Sequence, residues 1–327
     1  MNVYKYVAFG LLLESELEIF QLSKAPAEGA TDVYIRRTDF SDIVDFLPER
    51  KYFSMNGREV RFKVDGLAKF RITDGCLIEV EEYHVSHADV DANDAAGDDN
   101  YESPEVRKQH LGVFLMGSCM GAILHQRDAL LLHGSCVTNG KHTVLFTGDS
   151  GAGKSTTAAV FLAHGWQLLT DDVSCIRAPE KGLLVEPSYP SQKLWEDSLE
   201  RYGRQAPEVN TLYRKDGSEK YGISVAEHFC REPHTLTTVV RLIPVDAPLL
   251  IEPVAGFAKV DQLVRNTYRN YMILPEKRQQ HFQRCVTMAG KIRMYAAFRS
   301  INESCSEELY DTMVKLLEEE SLMEGKE

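Results

Sequence analysis

The stretch Thr143-Val144-Leu145-Phe146-Thr147-Gly148-Asp149-Ser150-Gly151-Ala152-Gly153-Lys154-Ser155 decides how the chain is read. Thr143 to Phe146 predicts a short buried strand, and the residues from Gly148 satisfy G-x-x-x-x-G-K-[ST] in full. Thr156-Thr157-Ala158-Ala159-Val160-Phe161-Leu162 then predicts a helix. Strand, loop and helix in that order are the context in which the pattern binds phosphate. The glycines let successive N–H groups turn inward around phosphate oxygens. The helix N-terminus adds partial positive charge. Lys154 is a compact cation able to reach the β- and γ-phosphates, and the Ser155 hydroxyl can take one Mg²⁺ coordination position. Gly148, Asp149, Ser150, Gly151, Ala152, Gly153, Lys154, Ser155 and Thr156 are the candidate nucleotide-binding residues, with ATP and Mg²⁺ as the expected cofactors.

Gly165 stops the helix, and Trp166-Gln167-Leu168-Leu169 predicts a second strand ending in Thr170-Asp171-Asp172. Ligands of open α/β sheets bind at the C-terminal ends of strands, so both strand ends are expected at one crevice. That brings a carboxylate towards the metal and the γ-phosphate. Neighbouring strand residues point to opposite faces, so only one aspartate can point straight at the site. From Leu130 onward the pattern alternates strand and helix. The last helix, about Ser306 to Leu322, carries an apolar stripe at Leu309, Met313, Leu316 and Leu317.

Upstream, Val33-Tyr34-Ile35, Glu59 to Val64, Phe70-Arg71-Ile72 and Leu77 to Val80 predict strands, with Asp74-Gly75 as a hairpin turn. The expected domains are a β-rich N-terminal unit over 1–87, an acidic linker or loop over 88–103, and a phosphate-loop domain with a leading helix over 104–327. Ala88 to Ser103 holds six acids and no base. Asp89, Asp91 and Asn93 there imitate a calcium loop, but Asp94 stands where glycine is required and Asn100 where a bidentate glutamate is required. Ser103-Pro104 predicts a helix start, and the helix is expected to reach about Gln126, burying Leu111, Phe114, Leu115, Cys119 and Ile123. Its Gly117-x-x-x-Gly121 spacing predicts close packing.

The 327 residues are 43% hydrophobic and 26% charged, which excludes a disordered or low-complexity chain. A formal charge of −12 argues against nucleic acid or an anionic membrane as partner. Seven scattered cysteines without a Cys-x-x-Cys pair argue against a zinc ribbon or disulfide framework and fit a reducing cytoplasm. Arg214, Lys215 and Lys220 form a basic cluster that reads as a solvated loop.

Leu132-His133-Gly134-Ser135, Gly148 to Ser155 and Leu168-Leu169-Thr170-Asp171-Asp172, at ungapped spacing, resemble the catalytic domain of the HPr kinase/phosphorylase family. The resemblance covers about residues 130 to 178 and weakens towards the C-terminus. It implies an α/β phosphate-loop kinase domain of the HPr-kinase C-terminal, phosphoenolpyruvate-carboxykinase-like type, preceded by a smaller β-rich α+β domain. It implies that Lys154 contacts the nucleotide phosphates and Ser155 ligates Mg²⁺. Asp172 would be the general base for a protein serine hydroxyl, and His133, ending its strand, would lie in the active site. Asp171 joins Ser155 as candidate metal ligand, and Arg265 is the candidate basic helper. Bifunctional members of the family carry Glu where this chain has Thr156. They also carry Glu-Ile-Arg-Gly-Leu-Gly where this chain has Glu186-Pro187-Ser188-Tyr189-Pro190-Ser191-Gln192-Lys193-Leu194-Trp195. These departures weigh against dephosphorylation and against HPr as substrate.

Tyr4-Lys5, Ala8-Phe9-Gly10-Leu11, Tyr189-Pro190 and Lys193-Leu194-Trp195 are similar to HPr kinase-related proteins of peptide-biosynthesis clusters, lasso-peptide kinases among them. That narrower resemblance implies an ATP-dependent serine kinase acting on a peptide or small protein, such as the C-terminal serine of a precursor peptide. The broader family's frequent oligomerisation suggests a homo-oligomer. The other readings are an HPr-type regulatory kinase, a nucleotide-binding switch and an ATPase with water as acceptor. The N-terminal unit is expected to help select the acceptor.

Overall fold

The computed structural model describes the chain except residues 1, 26–28, 44, 48–50, 84–103, 179–181, 196–198, 200–210, 216–217, 302–304 and 325–327. The acidic stretch, its calcium-like spacing and the Ser103 cap lie outside the described residues. The side chains of Arg214, Lys215 and Lys220 do as well.

Seven strands make the N-terminal sheet: β1 (Tyr4–Ala8), β2 (Leu11–Ser15), β3 (Val33–Arg37), β4 (Phe53–Asn56), β5 (Glu59–Val64), β6 (Ala68–Thr73) and β7 (Leu77–Glu82), in the order β1-β2-β3-β7-β6-β5-β4. Period-two alternation sets its two faces. Ala68, Phe70 and Ile72 of β6 are buried, while Lys69 and Arg71 face the other way and pair across the ladder with Glu81 and Glu79. Asp74 and Gly75 turn β6 into β7 with positive φ at both residues, as expected. Phe9 and Gly10 do the same between β1 and β2, at φ 55° and 70°. A phenylalanine in the left-handed region costs about 1–2 kcal/mol.

One long helix covers that sheet. It runs as α1 (Pro104–Phe114), a π-turn over Leu115–Cys119, and α2 (Met120–Gln126). Leu111, Leu115, Cys119 and Ile123 join Phe70, Ile72 and Val80 in one hydrophobic cluster, with Phe114 partly buried beside it. Gly117 and Gly121 accept the ring of Tyr268, and a β-carbon on Gly121 would stand 2.9 Å from Tyr268 Cε1. The small-residue spacing thus seats an aromatic ring from elsewhere in the chain.

The second sheet contains β8 (Leu130–Thr138), β9 (Thr143–Thr147), β10 (Gln167–Thr170), β11 (Val173–Arg177), β12 (Leu184–Glu186), β16 (His234–Thr235), β17 (Thr238–Val245), β18 (Leu250–Pro253) and β19 (Arg293–Ser300). Its order is β16-β12-β11-β8-β9-β17-β19-β18, with β10 also on β8. A separate three-stranded sheet holds β13 (Ser191–Trp195), β14 (Thr211–Lys215) and β15 (Ser218–Ser224), in the order β13-β15-β14.

Helix α3 (Lys154–Ala163) and α6 (Ser306–Glu324) share a core with Val144 and Phe146 on one face of the large sheet. Helices α4 (Phe257–Arg265) and α5 (Arg278–Ala289) share a core with Leu132, Leu145 and Val239 on the other. Successive residues of β9 therefore feed opposite cores, so the strand is apolar throughout. In α6, Leu309, Met313 and Leu317 are buried and Leu316 is partly so.

The strict alternation of strand and helix expected after Leu130 does not hold. Only β9, β17 and β19 run parallel, while β8 and β9 form a hairpin and β10 and β11 run antiparallel to β8. The sheet is mixed because Asn139 to His142 is too short a connection for a helical crossover. Two further expectations shift. The second strand spans Gln167–Thr170, and His133 lies in the middle of the nine-residue β8 rather than at its end. All seven cysteines are free. No helix among the described residues is long and apolar enough to cross a membrane.

Buried histidines make this fold sensitive to acid. The His125 ring, 2.8 Å from the Tyr268 carbonyl, is held to a pKa of about 4, chiefly by burial. Because the unfolded chain binds the proton more readily, stability falls as the pH drops below about 6.5 and the loss levels off below about 4. Between pH 7 and pH 5 this one group should remove about 2 kcal/mol. Urea unfolding of the wild type and His125→Gln at the two pH values checks this: the variant, which keeps a donor for the carbonyl, should lose about 2 kcal/mol less.

Candidate active site

The loop Gly148–Gly153 leaves β9 and enters α3 with Gly148, Gly151 and Gly153 at φ 140°, 83° and 90°. Those values belong to glycine, and they make a concave backbone of the kind that takes a phosphate. Lys154 begins the helix. Its ammonium is folded over the loop, 2.9 Å from both the Gly148 and Asp149 carbonyls, and its side chain is buried. Asp149, Ser150 and Gly151 are exposed, whereas Ser155 and Thr156 are half-buried on the first turn. Arg299 Nη1, from the end of β19, donates to the Ala152 carbonyl at 2.8 Å, and a side chain at Gly153 would fall on that guanidinium.

The aspartate pair interrupts what would otherwise be one strand along β8. Thr170 lies opposite Cys136 and Val173 opposite His133, so the register holds across Asp171 and Asp172, which stand between the two strands. The Val173 N–H donates to the Asp171 carbonyl at 3.0 Å while Asp172 sits at φ 74°, a γ-turn of the rarer, strained hand. Such strain persists only where the surroundings over-determine it.

Here the surroundings do so through Asp171. Its carboxylate is 2% exposed; Oδ1 accepts from Ser135 Oγ at 2.6 Å and Oδ2 from the Lys193 N–H at 2.8 Å. Both oxygens of this candidate metal ligand thus accept a protein donor. The expectation that only one aspartate faces the site fits this division, and that one is Asp172.

Asp172 Oδ2 accepts from Lys193 Nζ at 2.7 Å, and Oδ1 lies 3.3 Å from His133 Nδ1. The same imidazole nitrogen is 2.9 Å from the Asp172 carbonyl, which can only accept, so Nδ1 carries the proton and Nε2 is left as an acceptor. Burial pulls His133 below the ordinary histidine range, the Asp172 charge opposes that, and the Lys154 charge adds to it. Burial alone would favour a neutral Lys193, but the Asp172 charge outweighs it, and the ammonium stays charged.

The two halves of the site are joined twice. Thr147 Oγ1, just before the loop, donates to the His133 carbonyl at 2.8 Å. On β13, Gln192 Nε2 donates to the Ser155 carbonyl at 2.9 Å, and the next residue is Lys193.

Arg265 stays apart. Its guanidinium is exposed on the last turn of α4 and bound to Asp261, and among the described residues it bonds to none of this cluster. The basic residues in place are Lys193 and Arg299, which residue-by-residue reading passed over. Lys193 was visible in the Lys-Leu-Trp block; Arg299 has no local signal, since β19 reaches the loop only through the sheet.

Neither a protein-family model nor a curated protein matches this chain. Among solved structures, the HPr(Ser) kinase/phosphatase from Coxiella burnetii is similar over 60% of this chain and 98% of that one, at 14% identity and a TM-score of 0.31.

A nucleotide fits the loop on its own geometry: three left-handed glycines, a helix N-terminus and a lysine already over the cradle. Among the described residues no cluster of three or more His, Cys, Asp or Glu could hold a metal. Mg²⁺, which is commonly held by few protein ligands together with phosphates and water, would take the Ser155 hydroxyl on the first turn of α3. Lys154→Ala should weaken ATP binding by roughly tenfold or more. Gly153→Ala, strained at φ 90° and displacing the Arg299 guanidinium, should do the same. Titration with a fluorescent ATP analogue checks both, and wild-type affinity in either variant would contradict the loop assignment.

Proposed function

We propose that the chain is an ATP-dependent serine kinase acting on a peptide or small protein. The observation that carries this reading is the placement of Asp172: a partly exposed carboxylate held by His133 and Lys193, one residue along β13 from the contact to Ser155. Bound Mg-ATP would supply the transferable phosphoryl group and neutralise charge on it. Lys154 would exchange its loop carbonyls for phosphate oxygens, and Ser155 would offer its hydroxyl to the metal. Asp172 would orient the acceptor hydroxyl and take its proton as the new oxygen–phosphorus bond forms and the bond to the β-phosphate oxygen breaks. Lys193 and His133 keep that carboxylate aimed. In phosphoryl transfer most of the acceleration comes from such positioning and from fixed charge.

The acceptor we favour is a peptide bearing a C-terminal serine, on the strength of the narrower resemblance. Among the described residues, a cavity of about 160 Å³ is lined by Leu22, Gln109, Ser191 and Ile223 among others and by no charged side chain. Ser191 and Lys193 lie on the same face of β13, so a segment resting in this cavity is two residues along the strand from Lys193. That supports an extended, uncharged acceptor segment.

Mass spectrometry of peptides ending in serine, and of HPr, after incubation with Mg-ATP tests the proposal. A gain of one phosphate on a terminal serine is expected. Asp172→Asn should lower transfer by about a hundredfold or more while ATP affinity stays within about twofold of wild type. Unchanged transfer in that variant would remove Asp172 from the mechanism. Phosphorylated HPr in place of the peptides would move the acceptor to the regulatory class.

A further inference from the structure

We propose that the Phe9-Gly10 turn of the N-terminal sheet positions the active site: Phe9, acting through Tyr189, holds the segment that carries Lys193 and so sets the aim of Asp172. The proposal rests on the phosphotransfer reading and adds to it a task for the N-terminal sheet.

The turn is built for its contacts rather than for its own comfort. Asparagine is the usual residue at the first position of such a turn, yet Phe9 occupies it at φ 55° and is 2% exposed. Its N–H donates to the Pro187 carbonyl at 2.8 Å, and its ring meets Tyr189 edge-on at 6.2 Å between centroids. Gly10 lies so close to the Glu186 carboxylate that a side chain there would collide with it. Glu186 is itself buried and paired with Arg177, so the seat is rigid.

From that seat the path to the site is short. Tyr189 is buried, and its phenol is pushed up to about 12 by burial first, with the charges of Lys193, Asp172 and Asp171 also acting on it. The Ser191 N–H donates to the Tyr189 carbonyl at 2.8 Å, which fixes where β13 begins. Two residues on, the Lys193 N–H anchors Asp171 and the Lys193 ammonium holds Asp172. The two sequence blocks, Ala8 to Leu11 and Tyr189 to Trp195, thus meet in space although about 180 residues separate them.

Phe9→Asn tests the idea, because Asn-Gly favours the same turn while the ring is replaced by a small amide in a buried place. Amide hydrogen exchange across residues 187–194 should quicken by roughly tenfold or more, while exchange in α3 and in the rest of the N-terminal sheet stays as in the wild type. Transfer to the serine-terminated peptides should fall in kcat by about tenfold or more, with KM for ATP unchanged. The double variant with Tyr189→Leu should be no slower than the slower single variant.

Unchanged exchange over 187–194 overturns the proposal, and so do multiplicative losses in the double variant. Faster exchange throughout the N-terminal sheet also overturns it, since Phe9 would then be a fold residue only. If exchange changes as expected but the wild type phosphorylates no acceptor, the kinase reading fails and the link between Phe9 and Lys193 stands.

Discussion

A buried carboxylate with two protein donors holds this site together. Asp171 takes the Ser135 hydroxyl from β8 on one oxygen and the Lys193 amide from β13 on the other. A buried charge is tolerated only when its hydrogen bonds are made, so losing either donor would leave one oxygen of a buried carboxylate without its partner. Those two bonds fix where the strand breaks, and the break forces Asp172 into its left-handed γ-turn. Asp172 would otherwise continue a ladder; instead its side chain meets Lys193 and His133.

The charges around that crevice are arranged rather than merely numerous. Lys154 and Lys193 are both buried or nearly so, and each has oxygen partners: loop carbonyls for the first, Asp172 for the second. His133 stays neutral because burial and Lys154 outweigh the aspartate beside it. Neutrality matters, since it leaves one ring nitrogen to donate to Asp172 and the other to accept. A chain with an overall charge of −12 thus keeps two ammonium groups in this cluster, each held by oxygen partners.

The N-terminal sheet bears on the site along two routes. One is the turn at Phe9 against Pro187 and Tyr189. The other is the long helix, whose Gly117 and Gly121 seat Tyr268 while its remaining face closes the seven-stranded sheet. Tyr268 in turn lies 5.8 Å from the His133 ring and feels the charges of Asp172, Arg269 and Lys193. The π-turn at Leu115–Cys119 falls where that aromatic ring is received. Such turns often mark places where a helix has been adjusted to a function.

By itself the sequence determined the features that depend on neighbours along the chain. The phosphate loop between β9 and α3, the Asp74-Gly75 hairpin, the helix reaching Gln126 and the stripe of the last helix are all written in local periodicity and in glycines that alone tolerate positive φ. Tertiary structure decided the rest. It made β8 and β9 a hairpin and placed His133 in mid-strand. It sent Asp171 inward and Asp172 outward, and it left Arg265 in solvent while bringing Lys193 to Asp172 and Arg299 to the loop. No spacing rule encodes these, because each depends on which strand lies beside which. A carboxylate's role follows from the donors that reach it, and here those donors come from residues 135 and 193.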